Sequence, residues 1–388
     1  MKYIPYGRQS IDKGDIREVV KVLRSNWITQ GPKIQEFENA LTKYCDVKYA
    51  VAVSSGTAAL HLACLTAGLK KGDEAITSPI TFLATPNSVL YTGARPVFAD
   101  IDYDTINIDP KQIEEKITKK TRAVLPVHFV GLPCDMEGIY TIAKKNNLIV
   151  IEDACHALGA RYEANGKWVK VGSCIHSEMT VLSFHPVKHI TTGEGGAILT
   201  NDKGFYEKLM ILRNHGITRD KRKIKRLNKG NWYYEMQILG FNYRITDIQC
   251  ALGLSQLKKL DKFLKRRREI ADTYNKAFLG NPYFDLPQET KNSKSAWHLY
   301  AIRLKDKYKN RREEIFTRLK KESVGVQVHY IPVYLHPYYR ELGFKAGLCP
   351  NAEDFYQREI SIPLYYSLST SDIKFLIQKI FKVFMKIR

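Results

Sequence analysis

The chain has 388 residues, of which 44% are hydrophobic and 26% are charged, and these proportions exclude a disordered or fibrous protein. No apolar run approaches the ~18 residues of a membrane helix, and the opening MKYIPYGRQSID lacks the apolar stretch of a secretion signal. We therefore expect a cytoplasmic protein with no membrane partner. The seven cysteines, at 45, 64, 134, 155, 174, 250 and 349, lie at least nineteen positions apart. This spacing excludes CxxC redox or zinc motifs and argues against a disulfide framework, so no metal site is predicted.

The charge balance is strongly basic, with 61 Lys and Arg against 40 Asp and Glu and a formal net charge of +21. Such a surface attracts polyanions, which include nucleic acids, phosphorylated cofactors and nucleotides. Basic residues crowd into 219–226, 258–268 and 303–321. The second of these stretches also has apolar residues at helical spacing, which predicts an amphipathic helix with a solvated basic face. No nucleic-acid motif accompanies the charge, so we predict no nucleic-acid partner.

Short apolar runs alternate with helical patterns through the first 250 residues. Several of the runs are apolar at successive positions, as in strands buried on both faces. The pattern predicts helices over 15–23, 34–44, 57–67 and 136–145, and strands over 49–53, 75–77, 96–99, 123–129, 148–152, 179–184 and 197–200. It therefore indicates an α/β fold with a mostly parallel, helix-covered sheet.

A basic, aromatic loop over 217–236, which contains the turn residues 228–231, ends this alternation of strand and helix patterns. We predict one long helix over 251–276, strands over 298–304 and 325–328, and helices over 311–321 and 371–386. The chain is accordingly divided into a large domain over 1–250 and a small C-terminal domain over 251–388.

The first candidate site is Ser54-Ser55-Gly56-Thr57, between a predicted strand and a helix. Free N–H groups at a helix N-terminus, a glycine that permits close approach and the hydroxyls of Ser55 and Thr57 suit a phosphate. A plain helix cap explains the same residues. The segment is neither a P-loop nor GxGxxG, which disfavours a nucleoside triphosphate or a dinucleotide.

The second candidate site is Glu152-Asp153-Ala154-Cys155-His156, at the end of a predicted strand. Carboxylates that follow a parallel strand lie at the carboxyl edge of the sheet, where α/β proteins bind ligands. Asp153 could equally cap a helix. His156 could reach a ligand held above that edge or be purely structural.

The third candidate site runs from Ser183 to Gly196 and contains Lys188 after a turn with Pro186. A lysine beside phosphate-binding and carboxylate-bearing loops fits catalysis by pyridoxal 5′-phosphate (PLP). In this hypothesis Lys188 bonds to the cofactor aldehyde and Asp153 keeps the pyridine nitrogen protonated. Phe82, which follows the strand over 75–77, would stack on the ring, although a core phenylalanine fits the pattern equally well. The phosphate ligands would be Ser55, Gly56, Thr57 and Ser183.

The segments SSGTAAL, TFLATPN, EDACHALG, SFHPVKHITTGEGG and GFNYRITDIQ occur in this order across nearly the whole chain. Together they resemble the DegT/DnrJ/StrS family of PLP-dependent nucleotide-sugar aminotransferases. The resemblance implies the type I aminotransferase fold and a homodimer with active sites at the subunit interface. It also implies that Lys188 is the cofactor lysine and proton shuttle, and that Asn242 reaches the phosphate of the neighbouring subunit's cofactor. Because relatives that dehydrate their substrates replace this lysine with histidine, Lys188 favours transamination.

Within the family, residues 4–10, 325–332 and 359–364 look most like the branch that makes pseudaminic acid precursors. That branch aminates C4 of a UDP-linked 4-keto-6-deoxy N-acetyl hexosamine, and glutamate is the expected amino donor. His156 is shared with the branch that handles UDP-linked 4-keto sugars, which implies that it binds the cofactor on the side of the ring hydroxyl. Tyr6, His329 and Tyr330 are candidate substrate residues by position, although plain aromatic packing explains them nearly as well. Amination of UDP-4-keto-arabinose or of another nucleotide keto sugar stays open as an alternative. A non-catalytic basic binding protein and a PLP enzyme of different outcome, such as a dehydratase, also stay open.

Overall fold

The computed structural model describes residues 3–225 and 230–387. Arg226 and two of the four turn residues, Asn228 and Lys229, lie outside the described residues. The helices are α1 (Lys13–Leu23), α2 (Pro32–Cys45), α3 (Gly56–Thr66), α4 (Ala84–Tyr91), α5 (Pro110–Lys116), α6 (Met136–Lys145), α7 (Lys203–Leu212), α8 (Asp247–Leu257), α9 (Leu260–Phe278), α10 (Arg312–Lys321), α11 (Pro337–Glu341), α12 (Pro350–Arg358) and α13 (Thr370–Met385). The strands are β1 (Tyr49–Val53), β2 (Glu74–Thr77), β3 (Arg95–Phe98), β4 (Thr121–Leu125), β5 (Ile149–Asp153), β6 (Arg161–Ala164), β7 (Lys167–Lys170), β8 (Met179–Ser183), β9 (Gly196–Thr200), β10 (Ile217–Thr218), β11 (Glu235–Met236), β12 (Phe284–Asp285), β13 (Ser293–Lys294), β14 (Tyr300–Leu304) and β15 (Glu359–Ile362).

A seven-stranded sheet in the order β1-β9-β8-β5-β4-β2-β3 forms the centre of the first part of the chain. The strands from β8 to β3 pair in parallel, whereas β9 runs antiparallel to both of its neighbours. The strands of this sheet are almost entirely buried because helices cover both of its faces. The predicted α/β architecture is confirmed, and the carboxyl ends of β5 and β8 lie side by side.

A second, antiparallel sheet in the order β12-β14-β15 lies in the C-terminal part of the chain. Its core includes side chains from α9, β14, β15 and α13, together with Ile4 from the start of the chain. Leu257, Leu260, Phe263 and Leu264 instead belong to a core of the first part. The hydrophobic core therefore changes along α9, and the predicted domain boundary near residue 250 stays a prediction.

Three predicted elements differ in the structure. The helix over 251–276 is interrupted between α8 and α9, where Lys258 and Lys259 form a turn and the Lys259 N–H donates to the Gln256 carbonyl, three residues back, at 2.9 Å. The Lys259 amine pairs with Asp12 at 2.8 Å and with Asp15 at 2.6 Å. The strand over 325–328 is absent, since Gln327 forms only an isolated bridge with Ser361. The strand over 123–129 ends at Leu125, where Pro126 follows and cannot donate to a ladder.

The segment over 217–236 is a loop whose two ends pair as the ribbon β10-β11, with Ile217 opposite Met236. Trp232 in this loop is 80% exposed. Among the residues that the structure describes, no helix combines the length and the apolar character needed to span a membrane.

Candidate active site

A cleft of about 620 Å³ lies at the carboxyl edge of the large sheet. The parallel register pairs Asp153 of β5 with Val181 of β8, two residues before Ser183, so both polar side chains reach the same edge. The predicted residues that line the cleft are Tyr6, Ser55, Gly56, Thr57, Phe82, Asp153, His156, Ser183, Lys188, His329 and Tyr330. Eleven of the twelve predicted residues are thus brought together, and Asn242 is the exception.

The N-terminus of α3 approaches the end of β8 closely. Ser55 caps this helix by accepting a hydrogen bond from the Ala58 N–H at 3.1 Å. A Cβ atom at Gly56 would lie 3.0 Å from Cβ and 3.2 Å from Oγ of Ser183, which explains the glycine at this position. The first N–H groups of α3 and the Ser183 hydroxyl therefore form one cradle for an anion.

Asp153 is a buried carboxylate, only 6% exposed, that faces the cleft. Its Oδ2 accepts a hydrogen bond from the Thr85 hydroxyl at 2.6 Å, and the Thr81 hydroxyl lies 2.9 Å from that of Thr85. Its Oδ1 accepts the Cys155 N–H at 3.1 Å. Thr85 was missed from the sequence, because this contact joins residues 68 positions apart.

Lys188 extends into the cleft from the turn after β8, in which its N–H donates to the His185 carbonyl. Burial lowers the pKa of its amine below the usual value, while the nearby Cys155 and Asp153 act to raise it. Because desolvation disfavours the ammonium form, the amine is prepared to act as a nucleophile or a proton acceptor.

Histidines surround this lysine, and two of them, His189 and His298, were not predicted. The His156 ring lies 4.3 Å from that of His298, and its Nε2 is 3.3 Å from the Tyr330 hydroxyl. Burial holds the pKa of His156 and His298 well below the usual range, and the charge of Lys188 adds to this. The Nδ1 atoms of both rings have no partner among the described residues. A buried orphan nitrogen of this kind indicates a ligand or water in the cleft.

Phe82 and Tyr330 form an aromatic edge of the cleft, with ring centroids 6.3 Å apart. Phe82 is 60% exposed, so its ring is free to cover a planar ligand and is not a core residue. Tyr6 packs against His329 at 5.5 Å. Asn242 is exposed and forms a backbone bridge with Asn214 outside the cleft.

The residues present fit PLP. The hydroxyls and helix N–H groups suit its phosphate, the Asp153 carboxylate suits its pyridine nitrogen, Phe82 suits its ring face and Lys188 suits its aldehyde. Because Gly56 has no side chain, the cradle stays open; a Cβ atom there would contact Ser183. The roles of the individual residues are proposals that rest on this fit.

Comparison with known proteins agrees with this fit. Residues 9–381 match the model of the DegT/DnrJ/EryC1/StrS aminotransferase family. A transaminase of Campylobacter jejuni, the UDP-4-amino-4,6-dideoxy-N-acetyl-beta-L-altrosamine transaminase, is 42% identical over 388 residues, covering 99% of this chain and 98% of the relative.

Two solved structures superpose over the full length of both chains. Helicobacter pylori PseC, an aminotransferase involved in the biosynthesis of pseudoaminic acid, is 36% identical with a TM-score of 0.91. Spr1654 of Streptococcus pneumoniae, in its PLP form, is 31% identical with a TM-score of 0.91. The chain therefore belongs to the DegT/DnrJ/EryC1/StrS aminotransferase family, with the type I aminotransferase fold, and is a PLP-dependent nucleotide-sugar aminotransferase.

Proposed function

We propose that this enzyme transfers an amino group, with glutamate as donor, to C4 of a UDP-linked 4-keto-6-deoxy N-acetyl hexosamine, for pseudaminic acid biosynthesis. The observation that carries the proposal is a buried amine, Lys188, that shares one cleft with the Asp153 carboxylate and an anion cradle. The named relatives favour the altrosamine substrate.

When bound, PLP supplies an electron-withdrawing ring and a carbon that carries the amino group between the two substrates. Its phosphate would be held in the cradle at the start of α3 by Ser55, Gly56, Thr57 and Ser183. The Asp153 carboxylate would stabilise a protonated ring nitrogen, and the Thr85 hydroxyl, which donates to Oδ2, holds that carboxylate in position.

Lys188 moves the proton in each half-reaction. With PLP bound, its Nζ would accept a proton from the substrate carbon in one half-reaction and would return a proton to the substrate carbon in the other. The lowered pKa of this amine keeps a neutral fraction available for proton acceptance. The histidines around Lys188 are neutral, so they add no positive charge to the cleft. When the Lys188 amine is protonated, its charge is balanced by the buried carboxylate of Asp153.

Tyr6, His329 and Tyr330 lie where the sugar would meet the aromatic edge of the cleft. We further propose a homodimer, in which Asn242 of one subunit reaches the phosphate of the cofactor in the other. Its exposure outside the cleft of its own chain favours that arrangement. Amination of UDP-4-keto-arabinose is the second candidate, because the branch for that sugar shares the His156 and Lys188 motifs. The cytoplasmic location stays a prediction.

The first prediction concerns Lys188. Lys188→Ala should abolish covalent capture of PLP on borohydride reduction, measured as the mass increase of the intact protein. Turnover should fall at least ~10²-fold, the usual contribution of a positioned acid or base. The exposed Lys144→Ala is the control and should keep both properties. Persistent labelling and turnover in Lys188→Ala would refute the assignment.

The second prediction concerns Thr85. Thr85→Val should lower kcat/KM by about 10-fold to 100-fold, because a hydrogen bond to a charged group contributes about 1.5 to 3 kcal/mol. Thr85→Ser keeps the hydroxyl and should retain most of the activity. Equal activity in the valine and serine variants would show that the bond to Asp153 does not matter.

The third prediction concerns the subunits. Lys188→Ala and Asn242→Ala proteins, each inactive alone, should regain about a quarter of the wild-type activity when refolded together in equal amounts, because each hybrid dimer has one intact site. If Asn242 acted on the cofactor of its own chain, no hybrid site would be intact and mixing would restore nothing.

The substrate itself needs a panel of UDP-, dTDP- and GDP-linked keto sugars, each supplied with glutamate. We expect amination of the UDP-linked 4-keto-6-deoxy N-acetyl hexosamine at the highest kcat/KM, with mass spectrometry and NMR of the product reporting C4 as the aminated carbon. A higher kcat/KM for UDP-4-keto-arabinose than for the hexosamine would show that the arabinose derivative is the substrate. Dehydration or a 3-amino product would contradict both.

A further inference from the structure

Three polar side chains form a buried chain that ends at the cleft. Oε1 of Glu359 lies 2.5 Å from the Ser361 hydroxyl, and that hydroxyl lies 2.9 Å from Nδ1 of His329. Oε2 of Glu359 accepts the backbone N–H of His329 at 2.7 Å. Glu359 and Ser361 are fully buried, whereas His329 lines the cleft. With Nδ1 committed to Ser361, the other nitrogen of His329, Nε2, is left for a ligand.

The hydroxyl of Ser361 has only one proton to donate. When Glu359 is ionised, the hydroxyl donates to the carboxylate, so its oxygen accepts from Nδ1–H of His329 and Nε2 has no proton. When Glu359 is protonated, the carboxyl can donate to Ser361, and Ser361 is then free to donate to Nδ1. His329 in that state carries its proton on Nε2. The imidazole is neutral in both states.

The surroundings allow Glu359 to change its charge near neutral pH. Burial raises the pKa of Glu359 to about 8, although bonds from Ser361 and His329 and the charge of Arg312 on α10 act to lower it. Arg303 on β14 is the cross-strand partner of Glu359, but its side chain pairs with Asp285.

Burial, together with the charge of Lys188, keeps the His329 imidazole neutral. Burial lowers the pKa of His329 to about 3, and Lys188 across the cleft adds to this. The neutral imidazole of His156 and the phenols of Tyr6 and Tyr330 are its other neighbours. A change of tautomer, without a change of charge, is therefore the response that His329 can make.

We propose that Ser361 relays the protonation state of Glu359 to His329, which presents a donating Nε2–H to the cleft when Glu359 carries its proton and an accepting Nε2 when it does not. When Glu359 ionises, its proton passes to the Ser361 oxygen, Ser361 passes its own hydroxyl proton to Nδ1, and Nε2 releases its proton to water in the cleft. The net change is the loss of a single proton. Glu359 and Ser361 are thus positioning residues, and the donating form suits a carbonyl or carboxylate oxygen of a substrate.

The tautomer can be measured without turnover. In holoenzyme labelled with ¹⁵N-histidine, the Nδ1 and Nε2 signals of His329, assigned by their loss in His329→Asn, should exchange character around pH 8. Glu359→Gln mimics the protonated carboxyl and should hold the proton on Nε2 at every pH. Ser361→Ala should remove the pH response, and Ser361→Thr should restore it.

Tyr300→Phe is a matched control. It removes a buried hydroxyl from the neighbouring strand, where Tyr300 donates to Asn275 at 2.6 Å, and it should leave the response of His329 unchanged. Signals of wild-type His329 that are independent of pH would overturn the proposal, even if no variant folds. A response that persists in Ser361→Ala would also overturn it.

The effect on catalysis rests on the proposed function. As the pH rises through the midpoint, KM for the substrate that contacts Nε2 should increase several-fold at nearly constant kcat, and Glu359→Gln should flatten this rise. An enzyme that is inactive on every sugar of the panel would refute the proposed function while the tautomer measurement still decides on the relay. A tautomer change with KM independent of pH would refute the link to substrate binding.

Discussion

The parallel pairing of β5 with β8 is the constraint on which the site depends. It fixes Asp153 opposite Val181 and so sets Asp153 beside the turn that carries Lys188. A shift of this register by one residue would turn Asp153 to the opposite face of the sheet. The contact of Gly56 with Ser183 then places the start of α3 against the same edge. The β5–β8 register therefore brings together the Asp153 carboxylate, the Lys188 amine and the anion cradle at the start of α3.

Burial gives these groups their chemistry. The same desolvation lowers the pKa of the Lys188 amine and holds His156 and His298 neutral, so the cleft contains little positive charge that would compete for Asp153. A solvated cleft would leave the amine protonated and the imidazoles titrating near neutral pH.

The sequence was informative where chemistry is concentrated in short segments at strand ends. Asp153 and Ser183 stand at the ends of apolar runs, and Lys188 follows in the turn after the second run, so their meeting at one sheet edge could be predicted. Thr85 and Glu359 could not be found in this way, because their partners Asp153 and His329 are 68 and 30 positions away and are joined by tertiary packing. The interruption between α8 and α9 was missed because the apolar repeat continues across it, with Leu257 before the turn and Leu260 after it in the same core.

Two adjacent buried carboxylates on β5 show why Asp153 is the one left for a ligand. Glu152 points to the opposite face of the strand, where Ser177, Thr180 and His128 all donate to it. The Cys134 N–H donates to Nδ1 of His128, which places the proton of that imidazole on Nε2, toward Glu152. Burial acts to raise the pKa of Glu152, but these donors hold it below its usual value. Glu152 is therefore satisfied within the protein, whereas Asp153 lines the cleft, and a cationic partner such as a protonated pyridine nitrogen would complete its surroundings.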